Sequence, residues 1–155
     1  MDLARQALIS ARVSQAERYA PEELTAGQEA LDKSSAAVAA RDFKLALNYA
    51  LDSRYRAQAA ARLAEDRRQT LLTRIEDTLT NAAALVASGR TAVTAAGAVR
   101  ATRRTAAKAS AALEMIEKDL RKAREQVEAD DLGAADRLVQ EAEQRIAEAL
   151  AGLSP

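Results

Sequence analysis

Apolar residues recur at helical spacing through nearly the whole chain, and the interruptions mark where helices start and stop. Over residues 2–18, Leu3, Ala7, Leu8, Ala11, Val13 and Ala16 form a loose stripe, with Asp2 placed to cap it. Pro21 followed by Glu22 and Glu23 predicts a second helix. Proline gives up only a donor that a first turn does not need, and carboxylates suit the positive end of the helix dipole. Leu24, Leu31, Val38 and Leu45 then fall at strict sevens, which argues for packing along a neighbouring helix at a shallow angle. The run crosses Ala40-Arg41-Asp42-Phe43, where a tight turn is expected. Asp42 would cap a third helix there, and Phe43 would fold back as a hydrophobic anchor. That helix is expected from Phe43 to Ala87, with Tyr49 on its stripe and Ser88-Gly89 as its stop.

Residues 88–109 have a poor apolar stripe, and read as a flexible connection or a weakly helical one. The pattern resumes at Ser110 with Leu113, Ile116, Leu120 and Val127, breaks at Ala129-Asp130-Asp131, and continues from Leu132 to Gly152. Displaced by 89 residues, Leu24 meets Leu113, Leu31 meets Leu120, Val38 meets Val127, and the turn at Arg41-Asp42-Phe43 meets Asp130-Asp131-Leu132. Two related hairpins, about 21–64 and 110–153, are therefore expected within one helical domain spanning 1–155. The fold class is all-α: an elongated antiparallel bundle built from these hairpins and joined by a long helix. Pro21, Leu24, Leu31, Val38, Asp42, Phe43, Leu45, Tyr49, Leu113, Leu120, Val127 and Leu132 are its expected structural residues.

Composition sharpens this reading. Ala, Leu, Glu, Arg, Lys and Gln dominate, while Gly numbers 5, Pro 2, Phe 1 and Trp 0, so the core must be built from aliphatic side chains on closely approaching helices. The absence of Cys and His removes thiolate nucleophiles, imidazole acid–base chemistry and ordinary zinc sites. The acidic pairs Glu22/Glu23, Glu65/Asp66, Glu76/Asp77 and Asp130/Asp131 are adjacent in sequence, so they diverge around a helix or sit in caps. No catalytic residue, metal ligand or cofactor is expected. No apolar run approaches the ~20 residues that span a bilayer, and the reading is of a soluble chain with any leader already removed.

Charge is balanced overall but uneven along the chain. Between Thr78 and Leu113 stand Arg90, Arg100, Arg103, Arg104 and Lys108 with no acid, and acids dominate from Glu114 onward. The basic segment either lies along the acidic one or meets an anionic partner, an anionic lipid or polymer among them. Neutral net charge and few aromatics disfavour nucleic acid.

Ala20-Pro21-Glu22-Glu23-Leu24, Leu31, Ala36-Ala37, Arg41-Asp42-Phe43, Ala46 and Tyr49-Ala50 together resemble an uncharacterised family of alanine-rich helical proteins of the bacterial cell envelope, a domain of unknown function. The resemblance covers roughly residues 5–70. Many members look like lipoproteins or stand beside an outer-membrane anchoring domain, so it implies periplasmic or envelope residence, with membrane contact only through a lipid anchor outside these residues. It implies no activity. Asp42-Phe43, Ala46 and Ala50 also resemble the first helix of a tetratricopeptide repeat, although the 34-residue period of such arrays is missing. The expected function is a non-enzymatic structural or protein-interaction module that binds a protein partner or associates with itself along its sevenfold stripes. The alternatives are a tetratricopeptide-like peptide-binding adaptor, an anionic lipid or polymer binder acting through 90–108, and a cytoplasmic location.

Overall fold

Pro21 does open a helix, and the chain around it folds as the alternation of stripes and breaks requires. A computed structural model describes residues 1–99 and 103–151. These form α1 (Asp2–Val13), the single turn α2 (Ala16–Tyr19), α3 (Pro21–Ala39), α4 (Phe43–Ala98), α5 (Arg103–Glu128) and α6 (Leu132–Ala151). Among the described residues there is no strand, and the protein is an all-α helical bundle. Two compact units divide it, residues 1–70 and residues from 71 onward. The first holds α1, α2, α3 and the start of α4; the second holds the rest of α4 with α5 and α6.

In the first unit small residues set the distance between α3 and α4. Leu24, Gly27, Ala30, Leu31, Ser34 and Ala37 are buried on α3, and Ala46, Ala50, Ser53, Ala57, Ala60 and Ala64 on α4. A Cβ on Gly27 would stand 3.3 Å from the backbone nitrogen of Ala57, so the two backbones nearly touch. Two buried serines donate across this seam, Ser53 Oγ to the Gly27 carbonyl and Ser34 Oγ to the Ala46 carbonyl, both at 2.8 Å. Each hydroxyl is thereby satisfied in a dry interface, where an unpaired one would be costly. Arg67 donates to the Tyr19 carbonyl at 2.7 Å, supplying a partner for the end of α2.

The second unit has a larger aliphatic core. Ile75, Leu79, Ala82 and Val86 of α4 cluster with Leu113, Ile116, Leu120 and Ala123 of α5 and with Leu132, Ala135, Val139, Ala142 and Ile146 of α6.

The two hairpin turns have the same conformation. Arg41 and Asp130 both adopt left-handed backbone, with φ of 60° and 59°. Asp42 N–H bonds the Ala37 carbonyl and Asp131 N–H the Gln126 carbonyl, both at 2.9 Å. Arg41 N–H reaches the Val38 carbonyl and Asp130 N–H the Val127 carbonyl, which completes a Schellman closure in each case. The carboxylates then cap the next helix, Asp42 Oδ1 accepting from Leu45 N–H at 3.0 Å and Asp131 Oδ1 from Ala134 N–H at 3.2 Å.

Several expectations are corrected. Ser88-Gly89 does not stop the third helix, which continues to Ala98. A Cβ at Gly89 would meet Leu150 Cδ2 at 2.9 Å and Leu113 Cδ1 at 3.3 Å, so the residue is a packing notch within the helix. Glycine costs the helix about 1 kcal/mol there, and burying leucine against it offsets that. Residues 88–98 and 103–109 are helical, so no flexible connection lies among the described part of 88–109. Asp2 is the first residue of α1 and makes no cap hydrogen bond, and the buried face of α1 is Ala4, Leu8 and Ala11 while Leu3 and Val13 are exposed.

Phe43, Leu45 and Val38 are not core: they are 68%, 41% and 39% exposed. The row Ala46, Ala50, Ser53 and Ala57 takes the hairpin face of α4, which turns Phe43 and Leu45 to its flanks. Leu24, Leu31, Leu113, Leu120 and Leu132 are buried, Val127 is packed against the core and Tyr49 is half-buried. Of the positions at sevens, Leu24 and Leu31 are buried within the first hairpin, while Val38 and Leu45 are partly exposed.

Candidate functional site

Phe43, Leu47, Leu51 and Tyr55 follow one another at intervals of four on α4, so they form a ridge that drifts about 40° per step around the helix. All four face solvent, Leu47 at 60%, Leu51 at 52% and Tyr55 at 73%. Beside them Val38 ends α3 half-uncovered. Together they expose on the order of 500 Å² of largely apolar surface, comparable to the largest patch on an ordinary soluble domain, which is often functional. Their spacing was visible in the sequence as a second apolar row beside Ala46, Ala50 and Ala57, and only one of two such rows can enter the hairpin.

In each unit a further helix packs beside the hairpin. In the first unit, α1 lies alongside α4 with Leu3, Ala7 and Ser10 sharing a shallow groove with Arg54, Gln58 and Ala61. Leu8 reaches Gly27 of α3 from the same position. In the second unit the covering helix is α4 itself. Arg74 Nη2 bonds Asp136 Oδ1 at 2.6 Å, which places residues 71–75 level with the first turn of α6. Gly89 meets Leu150 further along. The buried trio Ala4, Leu8 and Ala11 corresponds to Ala82, Val86 and Gly89, with the same spacing.

Arg90 and Lys108 border separate shallow grooves. Arg90 Nη2 bonds Glu117 Oε2 at 2.8 Å, matching the basic segment to the acidic one at this point. Arg103 and Arg104 stand exposed in the first turn of α5, where the helix dipole disfavours an anion-free cluster of cations. Lys108 borders a shallow groove of about 330 Å³ shared with Thr105, Arg145 and Glu148, and Arg145 is paired with Asp119. Arg100 lies outside the described residues.

No group of three or more His, Cys, Asp or Glu among the described residues is placed to hold a metal ion. Arg56 is held more firmly protonated than a free arginine by its hydrogen bond to Asp52 and the charge of that carboxylate. A guanidinium is charged at every accessible pH, so this shift serves no proton transfer. Two buried polar atoms, Tyr19 Oη and Glu23 Oε2, make no hydrogen bond. Among the described residues no helix is long and apolar enough to cross a membrane. Comparison with known proteins finds no matching family model, curated protein or solved structure.

Proposed function

We propose that the chain is a non-enzymatic helical interaction module whose binding surface is the ridge Phe43, Leu47, Leu51 and Tyr55 together with Val38. The observation that carries this reading is the exposure of five large apolar side chains on one side of a capped, well-packed hairpin. Folding alone would favour polar residues there, since exposed aliphatic and aromatic groups gain nothing from the fold and promote aggregation. The resemblance of Ala20-Pro21-Glu22-Glu23-Leu24 and the following turn to an envelope family supports placing the module in the bacterial envelope.

The test is site-specific photocrosslinking in cells, with the probe amino acid in place of Leu47, of Leu51, or of the exposed Ala84. Discrete adducts from the first two positions, absent from the third and abolished by Phe43→Glu, are expected. Absence of adducts at Leu47 and Leu51, or equal adducts at Ala84, would contradict the reading. Fractionation tests the compartment: recovery with a cytosolic marker alone would contradict envelope residence.

A further inference from the structure

A groove of about 330 Å³ runs between α4 and α5 in the second unit, and its charge is one-sided. Arg90 lines it from α4, and Arg121 and Arg124 line it from α5, against one lining carboxylate, Glu117. Three guanidiniums less one carboxylate leave a charge of +2 there. Glu117 is already engaged by Arg90, at 2.8 Å. Arg121 and Arg124 make no hydrogen bond or ion pair among the described residues. Glu125 and Glu128 follow them by four positions on the same helix, yet neither closes a pair with them. A base placed four residues before its acid is the weaker order for such a pair.

The floor of the groove is apolar. Val86 and Leu120 are buried in it, and Ala83 and Ala87 keep the α4 wall low. Guanidiniums beside an apolar wall hold oxyanions more strongly than in open water, and their planar donor forks match carboxylates. Glu117 marks the level of Arg90 and lies seven residues before Arg124, with Arg121 between them. At 1.5 Å per residue the cations therefore extend over roughly 10 Å. A single inorganic anion covers part of such a row, whereas a peptide with successive carboxylates meets all of it. A lipid headgroup fits less well, since among the described residues no exposed large apolar side chain lines the groove to enter a bilayer.

We propose that this groove binds an acidic peptide segment of a partner protein, with its carboxylates on Arg121 and Arg124. The site lies in the second unit and does not depend on the ridge of Phe43 and Leu47 in the first.

The probe is capped hexaglutamate, titrated at low ionic strength into the isotopically labelled full chain while the arginine Nε–H resonances are followed. Saturable shifts at Arg90, Arg121 and Arg124 are expected, and R121Q/R124Q should weaken binding by about tenfold or more. R103Q/R104Q removes the same charge from the first turn of α5 and should weaken it by less than about twofold. All four arginines are exposed, so neither double variant disturbs the fold. Phe43→Glu should leave the binding unchanged. Equal weakening by the two double variants would reduce the effect to general charge attraction and overturn the site. Saturation of the same resonances by inorganic phosphate at equal concentration would overturn the peptide as its ligand. So would shifts with phosphatidylglycerol vesicles and none with the peptide. Absence of shifts at Arg121 and Arg124 would overturn the proposal outright.

Discussion

Phe43 and Leu132 each follow an aspartate cap and a left-handed turn residue in matching hairpins, yet Phe43 is 68% exposed and Leu132 1%. Leu132 lies in a cluster with Ile75, against which Leu71 and Leu72 also pack, whereas Phe43 faces solvent. Equivalent positions after the two turns therefore differ in what they contribute to the core.

Truncation at the two positions should have opposite consequences. Leu132→Ala leaves a cavity in a closed cluster and is expected to cost 2–5 kcal/mol, on the order of other buried leucine truncations. Phe43→Ala removes a side chain already in water and should change stability by less than about 1 kcal/mol, while reducing adhesion of the protein to apolar surfaces. Chemical denaturation of both variants, followed by circular dichroism, reads the contrast.

The turns make a second prediction. Asp42→Ala and Asp131→Ala each delete a helix cap and should destabilise by about 1 kcal/mol. Arg41→Gly relieves a side chain held in left-handed backbone and should stabilise, by up to about 1 kcal/mol. Thermal midpoints measured at fixed concentration would show both signs; a cap-deleted variant as stable as the parent would contradict the geometry.

How much of this was legible in sequence depended on what each residue answers to. Pro21, Asp42 and Asp131 act through local backbone chemistry, so the helix start and both turns could be read directly. The burial of Leu24, Leu31, Leu113 and Leu120 could also be read, because helical periodicity marks the face that enters a core. Gly89 was misread as a stop because its role depends on Leu113 and Leu150, which are distant in sequence. Phe43, Leu45 and Val38 were misread as core because periodicity marks which residues share a face but not whether a neighbour is long enough to cover it. The candidate surface was hidden for that reason: its residues look like core until their exposure is known.

Tyr19 gives a third prediction. Its ring is buried beside the start of α3 and its hydroxyl makes no hydrogen bond. Tyr19→Phe removes an unsatisfied polar atom and keeps the ring, so a gain of about 1 kcal/mol is expected. A loss of stability measured by denaturant titration would mean that the hydroxyl has a partner.

The contrast between the two hairpins can be measured directly, since the chain has no cysteine and single thiols can be placed at will. Rates of thiol alkylation under native conditions should be compared for Phe43→Cys and Leu132→Cys in the full chain. Phe43→Cys is expected to react at close to the rate of a free thiol, and Leu132→Cys more slowly by on the order of a hundredfold, since its labelling must await opening of the hairpin. Equal rates, or protection at Phe43→Cys in the isolated chain, would contradict the claim that one hairpin is covered to its turn and the other is left open.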